Sequence, residues 1–283
     1  MKILCVGDNV IDYYENLGEM YPGGNAVNVA VHSSILGAKA AYMGNLGTDP
    51  MSDVIRRALS KFNVDMSGCV TITDGTTKYC NYEVHDGERK FCSVNLGSNW
   101  SGPMDIGEAE LTFSRQFDVI HSSSNAKMEN EVHKFTQLPP IYVYDFGEKE
   151  KYRAEEYLNK VCLCLDLALF SLPYMSETDA LDFCKRIYKK NVKHVLITMG
   201  KDGQYVYNGT ELLHGKAKMI DPLDTMGAGD SYIAAFVNSL YNDGWQKGMT
   251  MPAKALKKAL LAGCEYSTEN CKVKGAFGYS ELL

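Results

Sequence analysis

An α/β protein with a mainly parallel sheet and a small β lid is the fold class this sequence predicts, and three observations predict it. Short apolar runs suited to buried strands alternate with segments of helical periodicity, the pattern of a parallel sheet covered on both faces. One stretch, 76–95, instead alternates polar and apolar residues about an Asp86-Gly87 turn, which marks a β flap. No repeat, low-complexity tract or linker divides the 283 residues, so a single domain with an inserted lid is expected.

The elements follow in order. Ile3-Leu4-Cys5-Val6 is a buried-strand run within 2–7. A Tyr-rich stretch, 9–22, has no regular period and is expected to be an irregular insert that joins 76–99 in the lid. Ala26, Val27, Ala30, Val31, Ser34 and Ile35 recur at helical spacing until Gly37 stops the run. A strand at 39–43 and a helix at 51–62 come next. After the lid hairpin, strands are expected at 118–122, 141–145, 166–171 and 193–198, and Asn208-Gly209 marks a second hairpin. Helical periodicity fits 178–190, 228–241 and 252–270.

Composition narrows the function. Twenty-nine basic against 35 acidic residues leave a net charge of −6, which argues against a reader of nucleic-acid backbone. Small anions stay admissible, because backbone dipoles hold them without side-chain charge. Asp8, Asp12 and Glu15 stand where an export signal would need an apolar core, and the apolar run 161–173 is interrupted by Asp166, short of the ~20 residues of a spanning helix. Nine cysteines without a CxxC spacing read as reduced thiols in a cytoplasm.

The chemistry concentrates in three segments. In Asp224-Thr225-Met226-Gly227-Ala228-Gly229-Asp230, small residues open a helix that buries Ile233, Phe236, Val237 and Leu240. Amides at such a helix start are unpaired, and the dipole there favours the charge on a transferring phosphoryl group. Asp230, in the first turn, is placed to act as general base for an alcohol; the plain alternative is an acidic residue stabilising the helix dipole. Gly7-Asp8-Asn9-Val10-Ile11-Asp12 follows the first strand, at the carboxyl end where ligands gather in parallel sheets. Gly23-Gly24-Asn25-Ala26-Val27-Asn28 sets a close-approach loop and two amides at a helix start. Carboxylates and amides around a Gly-Gly loop suit a polyol, although each alone also fits a turn or a cap. Neither GxGxxG after the first strand nor GxxxxGK[ST] occurs, which disfavours a dinucleotide oxidoreductase and a Walker-type NTPase.

The order of these parts resembles the PfkB, or ribokinase-like, family of carbohydrate kinases, across essentially the whole chain. Residues 23–30 and 224–231 carry the two family signatures. The resemblance implies a ribokinase-like three-layer sandwich, ATP and Mg²⁺, and a sugar-like alcohol. It implies Asp230 as catalytic base and Gly227, Ala228 and Gly229 as anion hole. It puts Asp12, Gly23, Gly24, Asn25 and Asn28 at the sugar, where Asp8 and Arg89 are added as substrate contacts from their own chemistry, and Thr198, Gly200, Gly203, Gly227 and Gly229 at the nucleotide. Asp224 and the loop 274–278 stand where many relatives bind a monovalent cation, K⁺, and lid strands in the family often pair as a homodimer. One departure is clear. Where many relatives carry Asn-x-x-Glu, this chain has Ser171-Leu172-Pro173-Tyr174-Met175-Ser176-Glu177, so no Mg²⁺ ligand is assigned, water-mediated coordination through Glu177 being the one option.

Finer features are similar to the fructosamine kinases of the fructoselysine 6-kinase type: the opening 7–12, the run 23–31, the lid strand 83–91, Tyr144-Asp145-Phe146 and the segment 224–231. A fructosyl-amine carries a cation beside a polyol. Asp8, Glu83, Asp86 and Asp145 are candidates to meet the cation and Arg89 a carboxylate, the alternative for Glu83 and Arg89 being a surface ion pair. Other small sugars or nucleosides (fructose, ribose, adenosine) are the competing acceptors, and a sugar- or nucleotide-binding sensor that lost activity is the non-enzyme alternative.

Overall fold

A computed structural model describes residues 1–85, 88–98, 104–163 and 165–282. Eight strands form the main sheet: β1 (Lys2–Val6), β4 (Lys39–Met43), β9 (Val119–Ser123), β10 (Ile141–Asp145), β11 (Leu167–Ser171), β12 (Val195–Thr198), β13 (Gln204–Tyr207) and β14 (Leu212–Gly215), in the order β14-β13-β12-β11-β10-β9-β1-β4. The six strands from β12 to β4 run parallel, and β13 and β14 add antiparallel at one edge.

Helices cover both faces, and strand residues divide between two cores with a period of two. Ile3 and Cys5 join α1 (Asn25–Ile35), α2 (Pro50–Lys61), α7 (Ala228–Asn242) and α8 (Ala253–Asn270) in one. Leu4 and Val6 join residues of the shorter α4 (Val132–Thr136) and α5 (Glu155–Val161) and of α6 (Glu177–Tyr188) in the other, with the start of α3 (Glu108–Ser114) close by at Met104 and Ile106. A mainly parallel sheet covered on both faces is what the strand–helix rhythm predicts, and its three layers agree with the ribokinase-like sandwich that the resemblance implies. Among the described residues no helix is long and apolar enough to cross a membrane.

A second sheet of five strands, in the order β15-β3-β2-β7-β8, lies over the sheet's carboxyl ends: β2 (Val10–Tyr14), β3 (Glu19–Gly23), β7 (Tyr79–His85), β8 (Glu88–Asn95) and β15 (Glu281–Leu282). Two further strands, β5 (Asn45–Leu46) and β6 (Val70–Thr71), pair in parallel as a sheet of their own. The stretch 9–22, expected to be irregular, is therefore an ordered hairpin turning at Gly18 with φ 63°. Tyr14 and Tyr21 pack at 4.7 Å, and Tyr14–Tyr82 and Tyr82–Phe91 continue the aromatic contacts across β2, β7 and β8. Its period of two is hidden in the sequence because apolar and aromatic residues occupy both faces.

Candidate active site

Asn25 and Asn28 stand three apart in the first turn of α1 and so face the same way. Both meet Asp230, in the first turn of α7. Asn25 Nδ2 donates to Asp230 Oδ1 and Asn28 Nδ2 to Asp230 Oδ2, each at 2.8 Å. Asn125, just past β9, donates to Asn25 Oδ1 and fixes which way that amide points. Asp145, ending β10, lies 3.5 Å from Asn25 Nδ2 and accepts from the Gly147 N–H at 2.7 Å. Burial pushes the Asp230 carboxyl up to about 6, against the pull of the two amides. Asp145 is pushed up to about 7, by burial first and then by the charge of Asp230. Asp8, after β1, is raised by burial and eased by Lys78.

Gly227 takes up φ 69° to start α7, and a Cβ there would come 2.7 Å from the Ala276 carbonyl oxygen, so glycine is required. The N–H groups of Gly227, Gly229 and Asp230 have no hydrogen-bond partner among the described residues, whereas Ala228 N–H donates to Thr225 O at 3.2 Å. Of the expected trio of bare amides, Ala228 is thus the exception, because its N–H closes the turn. The free amides lie where two cavities meet. One, of about 350 Å³, is lined by Gly200, Lys201, Ala217, Met219, Pro222 and Thr268; the other, of about 310 Å³, by Asn25, Asn125, Asp145, Lys149, Tyr152 and Asp230. Ser171, Thr198, Thr225, Ala228 and Gly229 line both. Two ligands, one on each side, would face one another across an anion-binding helix start, with a carboxylate on one side alone.

The sequence pattern of the pfkB family of carbohydrate kinases matches residues 2–137 and 166–280. The chain belongs to that family. Fructosamine kinase FrlD of Bacillus subtilis is 30% identical over 281 residues, spanning 99% of this chain and 94% of the relative. Fructoselysine 6-kinase of Escherichia coli is 28% identical over 278 residues, spanning 98% and 100%. The fold is that of fructokinase with bound ATP from Xylella fastidiosa (TM-score 0.80, 17% identity, 98% of this chain and 94% of that one). It is also that of Arabidopsis thaliana ribokinase complexed with ribose and ATP (TM-score 0.79, 17% identity, 98% and 94%).

In this pfkB sugar kinase the remaining expected residues fall into distinct places. Asp8, Asp12, Gly23 and Asn28 are buried and Gly24 half-buried, and of these Asn28 reaches Asp230. A Cβ at Gly23 would approach Asn28 Oδ1 and Asp12 Oδ2, and one at Gly24, where φ is 108°, would lie 2.7 Å from Asp8 O. Gly203 lines neither cavity. It has φ 92° and turns the chain from β12 into β13, where a Cβ would meet Gly215 O at 2.4 Å. Asp224 accepts from Met226 N–H and from Gly275 N–H, both at 2.9 Å, and so ties the kinase's two loops together. Glu177 is exposed in the first turn of α6, behind its Ser176 cap, and lines neither cavity. Strand register sets Lys90 opposite Glu83; Asp86 and the Arg89 side chain, with the roles expected of them, lie outside the described residues. Asn125, Lys149 and Tyr152 were not foreseen. The usable signal was position, since all three follow carboxyl ends of parallel strands.

Proposed function

We propose that the chain transfers the γ-phosphate of ATP to the primary hydroxyl of a fructosamine such as fructoselysine, at the sugar's 6-position. One observation carries the phosphoryl-transfer chemistry: Asp230 is held by two amide donors beside the free Gly227 and Gly229 N–H groups, at the junction of two cavities. ATP occupies the larger cavity, with its γ-phosphate at those amides. The acceptor hydroxyl enters from the other side, where Asp230 takes its proton as oxygen attacks in line. The amides and the helix dipole hold the charge spread over the phosphoryl oxygens. The five-stranded sheet acts as the lid that excludes competing water.

A cationic acceptor is supported by charge. Asp8, Asp145 and Asp230 are all under a tenth exposed and acidic, and buried Asp8 Oδ1 and Asn28 Oδ1 have no hydrogen-bond partner among the described residues, so they offer acceptors to sugar hydroxyls or an ammonium. The names of the fructosamine and fructoselysine kinase relatives point the same way. Mg²⁺ would supply charge neutralisation on the nucleotide. Such an ion is held mainly by phosphates and water, with Glu148 the exposed carboxylate at the cavity edge. Bound K⁺ would act at the loops joined by Asp224 and stiffen the anion hole. A homodimer would use edge strand β8, where Phe91 and Val94 stand about half exposed. The eight described cysteines are free, consistent with a cytoplasmic enzyme.

The deciding experiment is ADP release over a panel of fructoselysine, other fructosamines, fructose, ribose and nucleosides, with the product mapped by NMR. Fructosamines should show the highest kcat/KM and 6-phosphorylation. A higher value for fructose, ribose or a nucleoside overturns the substrate, and binding without turnover of any of them overturns the reaction.

A further inference from the structure

Gln204 opens β13, directly after the Gly203 turn, and lines the larger cavity. Its partner in register on β14 is Gly215, where a Cβ would stand 3.0 Å from Gln204 Oε1 and 3.2 Å from Leu260 Cβ. The missing side chain at 215 lets the carboxamide lie across β14 towards α8. Gln204 is only 6% exposed, and Oε1 is buried with no hydrogen-bond partner among the described residues. An orphaned acceptor of this kind destabilises the empty protein, and a ligand that brings a donor relieves it. The neighbouring hydroxyls are already engaged, since Thr268 Oγ1 and Ser267 Oγ both donate to Cys264 O, at 2.7 and 3.2 Å. Ala217, Met219, Ile220 and Pro222 give that wall apolar surface, with the exposed Lys218 among them. Gln204 lines the first cavity alone, beside its register partner Thr198 on β12, which lines both; of the groups a nucleotide offers there, the phosphates carry no donor, so the orphaned acceptor suits the base.

We propose that Gln204 reads the nucleobase of the phosphoryl donor. Oε1 accepts from the exocyclic amino group of adenine while Nε2 donates to an adjacent ring nitrogen, the pairing by which a glutamine side chain recognises adenine in nucleic acids. Guanine presents a carbonyl oxygen at that position and sets acceptor against acceptor. The inference rests on the reading that ATP is the donor, and adds what selects its base.

Equilibrium binding without any acceptor sugar tests it, using ATP, GTP and purine riboside triphosphate, which is ATP without the exocyclic amine. The wild-type protein should bind ATP roughly tenfold or more tightly than either of the others, as expected for one bidentate base contact. Gln204→Leu and Gln204→Met should bind all three within about threefold of one another, with ATP weakened and melting temperature not lowered, because both variants remove the orphaned acceptor. Equal wild-type affinity for ATP and purine riboside triphosphate overturns the proposal, as does a folded variant that keeps the preference. If neither variant folds, the wild-type comparison alone decides. Failure of wild type to bind any of the three overturns the donor reading instead.

Discussion

Asn28 Nδ2 donates to Asp230 Oδ2 at 2.8 Å across 202 residues of chain. The bond favours the charged carboxylate and opposes the burial that pushes Asp230 up to about 6. Removing the donor in Asn28→Ala should therefore move the base further up. A general base works deprotonated, so kcat/KM should rise with pH through about 6 in the wild type and through a higher value in the variant. We expect a loss of roughly tenfold at pH 6.5 that shrinks by pH 8.5. A pH profile displaced in neither direction would remove Asn28 from this role.

Asp230→Asn should lose about 10²- to 10⁴-fold in turnover, the range for a positioned general base. Its stability should change with the opposite sign. A carboxyl whose folded pKa, about 6, lies above its ordinary 3.8 binds protons more tightly in the folded state, so it costs stability as pH rises through that window. Removing the charge should stabilise the fold at pH 8, by on the order of 2 kcal/mol before the loss of one amide bond is deducted, with a correspondingly higher melting temperature, and by much less at pH 4. Calorimetry at the two pH values checks this; a variant equally destabilised at both would show that the charge carries no such penalty.

Gly24 and Gly229 should separate fold from chemistry. At Gly24, φ is 108° and a Cβ would lie 2.7 Å from Asp8 O, so Gly24→Ala strains backbone against backbone and should cost about 2 kcal/mol or more in denaturant melts. At Gly229 a Cβ meets nothing within 4 Å and the backbone is helical, so Gly229→Ala should be stable or gain ~0.5–1 kcal/mol. Its methyl group would nonetheless stand at the junction of the two cavities, and kcat should fall by about tenfold or more while the acceptor's affinity holds. Full activity in Gly229→Ala would count against a phosphoryl group at those amides.

Much of this was legible in the residues because local signals and global fold agree. Ile3-Leu4-Cys5-Val6 alternates between two cores, and the small residues before Ile233 and Phe236 announce a helix with an uncovered start. Asp230, Asn25 and Asn28 were visible by type, but not the pairing that joins them, which α1 and α7 create only on folding. The hairpin at 10–23 was hidden by aromatic residues on both its faces, and β15 by being two residues long. Gly203 was expected at the nucleotide because 198–203 resembles a nucleotide-contacting strand end and turn; the structure shows in addition that its positive φ serves the turn into β13.

Asp224 acts on the reaction at one remove. One carboxylate oxygen accepts from Met226 N–H and shapes the turn into Gly227; the other accepts from Gly275 N–H, each at 2.9 Å. The second tether holds the segment whose Ala276 carbonyl, itself bonded by Asn270 Nδ2 at 2.9 Å, packs against the Gly227 Cα. Asp224→Ala frees both amides and loosens the loop that presents Gly227 and Gly229 to phosphate. Stability should fall by roughly 1–3 kcal/mol, and kcat by about tenfold or more, with acceptor affinity little changed because Asp230 keeps both asparagine donors. Asp224→Asn retains one acceptor oxygen and should lie between the two. A melting temperature lowered with kcat intact would reduce Asp224 to a structural tether, and a changed K⁺ dependence in either variant would tie the cation to this loop.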